Sequence, residues 1–198
     1  RRPASLDEAL AELAAGGTAV AGGTELVPLL HEGLLPVPAD GPLALVDVRD
    51  VVPRAIERGR VGAGATLAEL ERSELVPRAL AEACRLAASL QLRHAGTLGG
   101  NLLQSTRCWY WRLGADCFLR GGDRCHAADG EHREHAFLAT APCASAHPSD
   151  PAAALLALGA SVRTDRRSFP LEDLYRLPTA DDRRLARLEP GELILSLD

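Results

Sequence analysis

The sequence predicts a mixed α and β protein, arranged as one compact domain or two small lobes. Its 198 residues are enough to enclose a sizeable core. Residues 1–50 alternate between helical and strand patterns, which is typical of a small α/β lobe with parallel strands. The remaining residues mix further predicted helices with separated predicted strands.

The first lobe opens with a predicted helix over residues 5–15, in which Leu6, Leu10 and Leu13 form an apolar stripe. Ser5 can cap this helix, because its hydroxyl can accept a hydrogen bond from a free N–H of the first turn. The next predicted elements are a strand at 18–21, a helix at 25–32, a loop at 33–42 and a buried strand at 43–48.

The second part opens with a predicted strand at 60–64, after which Thr66 and Glu69 form a capping box for a short helix. Pro77 is expected to open a longer helix with one apolar face, made of Leu80, Ala83, Cys84, Ala87 and Leu90. The elements expected after it are a Gly-rich turn at 96–101, a helix at 152–158, a strand at 161–164, a charged connection at 176–187 and a strand at 193–197.

Charge and hydropathy exclude two classes of partner. The chain carries 22 basic and 27 acidic residues, a net charge of −5, which argues against nucleic acid or an anionic membrane. Its longest apolar run, at 151–160, is too short to span a bilayer. The sequence contains no Met, so we expect the natural start to lie before Arg1, where a targeting signal could also lie.

The first motif with chemical meaning is Ala21-Gly22-Gly23-Thr24-Glu25, between a predicted strand and a predicted helix. Glycines let a backbone approach an anion closely, and free N–H groups there would suit a pyrophosphate. The alternative is a tight turn that binds nothing. Neither the Rossmann nor the P-loop pattern is present.

Two further segments could complete a dinucleotide site. Gly96–Asn101 has the same character, so the two Gly-rich segments together could clasp two phosphates. His147-Pro148-Ser149-Asp150 precedes a short helix. Asp150 could accept hydrogen bonds from sugar or ribityl hydroxyls, but the residues alone favour a helix cap by Ser149 or Asp150.

Four of the five cysteines fall within 36 residues, in a stretch at 105–146 without clear periodicity. Their intervals of 9, 8 and 18 residues include no C-x-x-C pair, so a zinc ribbon or finger is not indicated. The group could enclose a tetrahedral metal ion or a cubane cluster, or remain as free thiols. Nearby alternative ligands are His126, His132 and His135, whereas Cys84 fits core packing.

Taken together, the motifs resemble one family. The strings AGGTELVPLL, GAGATLAELERS, LRHAGTLGGNLLQ, HPSDPAAALLALGA and EPGELILSL, in this order, resemble the FAD-binding subunit of the xanthine dehydrogenase (molybdenum hydroxylase) family. The resemblance implies a two-lobed FAD-binding fold of the vanillyl-alcohol-oxidase (PCMH) type. Its N-terminal α/β lobe would span 1–55, and its α+β lobe would span 56–198 with the Cys-rich loop. Relatives continue with a C-terminal domain that this sequence lacks.

The resemblance also assigns cofactor contacts. Thr97, Gly100 and Asn101 would form a second clasp on FAD. Asp150 would contact FAD hydroxyls, and Ile194 would pack near the flavin ring. The FAD pyrophosphate would be wrapped by backbone N–H groups of Ala19, Val20, Ala21, Gly22, Gly23, Thr24, Glu25 and Leu26.

The Cys-rich stretch resembles the branch whose flavoprotein subunit carries an additional [4Fe–4S] cluster. That resemblance assigns the cluster to four ligands, Cys108, Cys117, Cys125 and Cys143. It also gives Trp109, Tyr110 and Trp111 the role of shielding the cluster from water.

The function implied is that of an oxidoreductase component without a catalytic acid or base of its own. It would pass electrons from iron–sulfur centres through FAD to an external acceptor, beside a large molybdenum-cofactor subunit and a small [2Fe–2S] subunit. We expect a cytoplasmic location, although relatives also occur in the periplasm. Two alternatives are a non-catalytic four-Cys metal or cluster module without flavin, and a stand-alone flavin oxidase.

Overall fold

The computed structural model describes residues 1–35, 41–138 and 142–198. The predicted loop at 33–42 therefore lies partly outside the described residues, as does part of the predicted Cys-rich loop. The helices are α1 Leu6–Ala14, α2 Leu26–His31, α3 Leu67–Arg72, α4 Arg78–Leu86, α5 Leu90–Ala95, α6 Leu98–Leu102, α7 Trp109–Arg112, α8 His126–Asp129 and α9 Asp150–Ala157. The strands are β1 Thr18–Val20, β2 Leu45–Asp47, β3 Ile56–Glu57, β4 Arg60–Gly62, β5 Ser161–Thr164, β6 Ser168–Pro170 and β7 Ile194–Leu197, and 3-10 turns occupy Phe118–Arg120 and Leu171–Leu174.

Two sheets organise these elements and confirm the α+β class. In the first, β1 and β2 pair in parallel, with Thr18 opposite Leu45, as the helix–strand alternation predicts. The second sheet is antiparallel with strand order β3-β4-β7-β5-β6, so the last strand of the chain lies at its centre. The first sheet lies before residue 55 and the second lies after it, while the division into two lobes there stays a prediction.

The predicted helix caps are present. Ser5 Oγ accepts from Glu8 N at 3.2 Å, and the Glu8 carboxylate accepts from the N–H of Ala4 at 2.7 Å. Thr66 and Glu69 form both bonds of the capping box, at 3.2 and 2.7 Å. These local bonds satisfy N–H groups that the first helical turn leaves free, which is why they could be read from sequence.

The single long helix predicted from Pro77 through Leu90 is wrong. Helix α4 ends at Leu86, and Ser89 then starts α5 by accepting a hydrogen bond from Leu92 N at 3.4 Å. A serine that caps a new helix competes with continuation of the old one. Leu90 is 51% exposed and so does not share the buried face of α4.

One core serves both sheets. Val46 of the first sheet and Val162 of the second are completely buried in the same cluster. Both leucines of α6, Leu98 and Leu102, lie in this cluster as well, so α6 is anchored on its apolar side. Among the described residues, no helix is both long enough and apolar enough to cross a membrane.

A buried carboxylate fixes the approach to the central strand. Glu192, whose side chain is fully buried, accepts from Thr164 Oγ1 at 2.8 Å and from Arg167 Nε and Nη2 at 2.8 and 2.9 Å. The N–H of Glu189 donates to it at 2.8 Å. Burial raises the pKa of Glu192, but these hydrogen bonds outweigh that effect and hold the pKa at about 2. The contact joins the β5–β6 hairpin to the turn that leads into β7.

Replacing this carboxylate with an amide is predicted to destabilise the fold and to change its response to acid. Because E192Q leaves Arg167 without its anion, we expect a loss of about 3 kcal/mol in unfolding free energy at neutral pH. A carboxylate with a lowered pKa stabilises above its ordinary pKa and loses that contribution as pH falls towards 2. Wild type should therefore lose more stability than E192Q between about pH 5 and pH 2.

Urea unfolding monitored by circular dichroism at several pH values would measure both effects. The matched control is E82Q, since Glu82 pairs with Arg85 at 3.7 Å with both side chains more than half exposed. It should change stability by about 0.5 kcal/mol or less. Equal acid sensitivity in wild type and E192Q would contradict the assigned role of Glu192.

Candidate functional site

The two Gly-rich segments face one cavity of about 580 Å³. Its volume falls within the range of about 300–1,000 Å³ that is usual for small-molecule sites. The third wall comes from β7, through the buried side chain of Ile194. Of the residues predicted to bind cofactor, those that line this cavity are Ala19, Val20, Ala21, Gly22, Gly23, Thr24, Glu25, Leu26, Thr97, Gly100 and Ile194.

The first Gly-rich segment presents a run of free amides. The backbone N–H groups of residues 21–26 make no hydrogen bond to any other described residue. Residues 21–26 are partly buried and line the cavity, so their amides are available to a hydrogen-bond acceptor on a bound ligand. An anion such as a phosphate is the kind of ligand that such a cradle suits.

Glycine is required at this turn for two different reasons. A Cβ at Gly22 would lie 1.8 Å from the carbonyl oxygen of Ala95, so the turn touches the end of α5 directly. Gly23 has φ of +70°, a conformation that residues with side chains rarely adopt. The first requirement sets the place of the turn, and the second sets its shape.

The second Gly-rich segment differs from its prediction as a flexible turn with free N–H groups. It is the start of α6, where Leu98 N and Gly99 N donate to Ala65 O and Ala63 O at 2.8 and 2.9 Å. Thr97 caps the helix, and its hydroxyl accepts from Gly100 N at 3.3 Å. The protein itself therefore uses these amides. Instead, this segment lines the cavity with Thr97 and with Gly100, which has no side chain.

Two predicted cofactor contacts do not line this cavity. Asn101 Oδ1 accepts from Ser149 Oγ at 2.6 Å, and it borders a smaller adjoining cavity of about 80 Å³. Ser149, rather than Asp150, caps α9 by accepting from Ala152 N at 3.0 Å. Asp150 is the first residue of α9 and is exposed. The contacts of Asn101 and Asp150 with FAD stay predictions.

The cavity also holds cationic side chains that the sequence reasoning missed. Arg49 lines it and binds Asp47 at 2.6 Å, and hydrogen bonds from Arg49 lower the pKa of Asp47 to about 2. Arg54 also lines the cavity, and its guanidinium binds the Glu69 carboxylate at 2.9 Å. These guanidinium groups favour an anionic ligand. The Asp-x-Arg pattern directly after a buried strand is the signal that could have found Arg49.

The four clustered cysteines lie between α6 and α9 as free thiols, with Cys117 and Cys143 buried. Burial raises the pKa of Cys108, and the charges of Cys117 and Cys125 add to that rise. Burial likewise raises the pKa of Cys143, and Cys125 and Cys108 add to it. A backbone hydrogen bond from Phe118 N to Arg124 O, at 2.8 Å, joins the neighbourhoods of Cys117 and Cys125.

The surroundings of these thiols contain hydrogen-bond donors and aromatic rings. Ala144 N donates to Cys125 Sγ at 3.4 Å, and His135 Nε2 lies 3.1 Å from Cys108 Sγ. Trp109 packs edge-on against His135, with ring centroids 4.7 Å apart. Within the described parts of the chain, no group of three or more His, Cys, Asp or Glu side chains is arranged to hold a metal ion. Metal ligation by the four cysteines stays a prediction.

Cys84 behaves as its helical position predicts. It is completely buried in the core on α4, where burial raises the pKa of its thiol to about 12. It is therefore an unreactive packing residue.

The α+β fold, the cavity and its free amides define a domain that binds a small anionic ligand. Comparison with known proteins identifies the ligand, because residues 1–198 match the family described as "FAD binding domain in molybdopterin dehydrogenase". The chain belongs to this family of FAD-binding domains. The match confirms the family resemblance and the FAD-binding fold expected from the sequence motifs.

Similar proteins include the aldehyde oxidoreductase FAD-binding subunit PaoB of Escherichia coli strain K12. It is 34% identical over 198 positions, which cover 92% of this chain and 61% of PaoB, so the chain spans less than two thirds of this relative. Among solved structures, CO dehydrogenase from Oligotropha carboxidovorans matches with a TM-score of 0.62 and 23% identity, over 99% of this chain and 56% of that one. Quinoline 2-oxidoreductase from Pseudomonas putida 86 matches with a TM-score of 0.63 and 22% identity, over 100% of this chain and 56% of that one. These structures share the fold.

Adding one methyl group at Gly100 is predicted to weaken FAD binding without harming the fold. In G100A the new Cβ would meet only Thr97 Oγ1, at 3.1 Å, among the described residues, and Gly100 lines the cavity. Alanine favours a helix over glycine by about 1 kcal/mol, so stability should not fall. Crowding a bound ligand costs about 1–3 kcal/mol, which corresponds to roughly a 5- to 150-fold loss of affinity.

Titration of flavin fluorescence and urea unfolding of the apoprotein would measure the two quantities. The control is G41A, because a Cβ at Gly41 meets no atom of the described residues within 4 Å and Gly41 is not among the described residues that line the cavity. Unchanged FAD affinity in G100A would show that this face of α6 does not touch the cofactor.

Proposed function

We propose that this chain is the FAD-binding electron-transfer component of a molybdenum-containing hydroxylase or dehydrogenase. In this role it holds FAD so that electrons from iron–sulfur centres can pass to an external acceptor. The observation that carries the proposal is the run of unpaired amides at 21–26, which opens onto the 580 Å³ cavity in a chain of this family. FAD supplies chemistry in steps of one or two electrons, and the protein supplies binding, orientation and electrostatics.

The residues of the cavity fit the parts of FAD. Amides at 21–26 would receive the pyrophosphate, with Thr97 and Gly100 on the facing wall. Ile194, which is buried on the central strand β7 of the second sheet, gives an apolar surface of the kind that suits a flavin ring. Arg49 at the cavity adds positive charge for the phosphates.

We also propose that Cys108, Cys117, Cys125 and Cys143 hold a [4Fe–4S] cluster. Thiolates are the ligands that iron–sulfur clusters use. Backbone hydrogen bonds link the segments that carry these cysteines, from Phe118 N to Arg124 O and from Ala136 N to Ala144 O, both at 2.8 Å. Hydrogen bonds to cluster sulfurs tune the potential, and Cys125 already receives one from Ala144 N. A four-iron cluster separates its ligand sulfurs more widely than a single ion does, so the thiols need not converge on one point.

The proposed partners follow from the similar proteins. PaoB is by name the FAD-binding subunit of an aldehyde oxidoreductase, so it works beside other subunits. By this similarity, the chain would assemble with a large subunit that carries the molybdenum cofactor and a small [2Fe–2S] subunit. The large subunit would then choose the substrate.

An anaerobic absorption spectrum of the purified protein, with flavin, iron and sulfide assays on the same sample, tests both cofactors. We expect flavin bands, a broad shoulder at roughly 400 nm and about four irons per chain. Flavin without iron would support the flavoprotein and contradict the cluster. Iron or zinc without flavin would contradict the FAD role and favour a metal-binding module.

Replacing one proposed ligand should remove the cluster selectively. In C117S we expect iron and sulfide to fall to near zero, because the hydroxyl of Ser is a poor substitute for a thiolate ligand. FAD should remain bound, since Cys117 does not line the large cavity. The matched control is C84S, a cysteine outside the cluster segment, which should keep its iron. Full iron content in C117S would exclude Cys117 as a ligand.

A further inference from the structure

Glu25 joins the cofactor cavity to the Cys-rich segment. It lies in the loop with the free amides, and its carboxylate receives two arginines that flank Cys108 in sequence. Arg112 Nη2 donates to Glu25 Oε1 at 2.8 Å, and Arg107 Nη2 lies 2.8 Å from Glu25 Oε2. The N–H of Ser105 donates to Oε1 at 3.1 Å. These contacts bridge 80 to 87 residues of sequence.

The pair of Glu25 and Arg112 is largely removed from solvent. Their side chains are only 18% and 16% exposed, so each would lose much of its hydration without the other. Arg112 also donates to Thr106 O at 3.0 Å and to Glu32 at 3.3 Å, so its guanidinium is held on several sides. Arg107 is half exposed and faces Oε2 without hydrogen-bond alignment, while its Nη2 donates to Gln104 Oε1 at 2.7 Å.

The placement of Glu25 has an electrostatic consequence for the cavity. A carboxylate beside the amides at 21–26 would repel a bound anion if it stood alone. Arg107 and Arg112 balance the carboxylates of Glu25 and Glu32, so the four side chains together carry no net charge. The segment that carries Cys108 thus offsets the negative charge that Glu25 would otherwise present beside the amide cradle.

We propose that Glu25 is a positioning residue that couples FAD binding to the packing of segment 105–112. This inference rests on the proposed FAD function and adds a thermodynamic link to it. Coupling between two sites is reciprocal, so FAD should stabilise this segment as much as the ordered segment favours FAD. The link runs through the contacts of Glu25 with Ser105, Arg107 and Arg112.

Hydrogen exchange of the full chain, with and without FAD, tests this link through a readout other than activity. In wild type, FAD should protect residues 21–26 and also slow exchange in 105–112 by about fivefold or more. E25Q keeps the backbone amides of the cradle but loses the charge that draws both arginines. In that variant FAD should still protect 21–26, with weaker affinity, and should leave exchange in 105–112 unchanged.

The matched control is E131Q, which removes a carboxylate from an exposed pair with Arg133 elsewhere in the Cys-rich segment. It should behave like wild type. If E25Q does not fold, R107Q serves in its place, because Arg107 is half exposed and Arg112 keeps its pair. R107Q should reduce the protection of 105–112 in part.

The outcomes separate the link from the FAD function. Protection of 105–112 by FAD at the wild-type level in E25Q, or in R107Q if that variant is needed, would overturn the link. The same conclusion would follow if FAD bound wild type and protected only 21–26. No FAD binding by wild type would instead overturn the proposed function itself.

Discussion

The close contact between Gly22 and the backbone of Ala95 is the constraint on which the site depends. Gly22 packs against the carbonyl of Ala95, and only a hydrogen atom fits between them. This contact fixes the loop after β1 against the end of α5, and Thr97 starts α6 two residues later. Because α6 is anchored in the shared core by Leu98, the loop with free amides faces a rigid wall. A cavity that spans distant parts of the chain is thereby held by packing rather than by a ligand.

The two Gly-rich segments contribute to the cavity in different ways. The amides of the first Gly-rich segment bond no described residue, whereas Leu98 N and Gly99 N of the second donate to the carbonyls of Ala65 and Ala63. One wall can therefore offer hydrogen bonds while the other stays rigid and sterically open at Gly100. Free donors on both walls would have cost stability in the absence of a ligand. The protein can therefore fold without a ligand and still offer hydrogen-bond donors to an anion.

Charge pairs organise the part of the chain that has little core of its own. Arg183 donates to Phe118 O and, at 2.7 Å, to Gly122 O, and it lies over the Phe118 ring at 4.5 Å. Arg112 ties the start of the same segment to the cavity loop. The Cys-rich segment is thus held from two sides by guanidinium groups that bond backbone and carboxylate oxygens. This explains how a stretch without hydrophobic periodicity can be held in place.

The sequence alone determined the features that depend on neighbours a few residues away. The caps at Ser5 and Thr66, the strand at 161–164 and the Gly-rich turn at 22–23 all follow from local hydrogen bonding or backbone shape. Its motifs also identified the FAD-binding family. Only the tertiary structure decided that β7 lies at the centre of its sheet, that the amides of α6 are already used, and that Glu25 meets Arg107 and Arg112. Each of these features depends on contacts between residues that lie tens of positions apart in the chain. Hydrophobic periodicity and motif spacing do not indicate which distant groups will form a hydrogen bond or an ion pair.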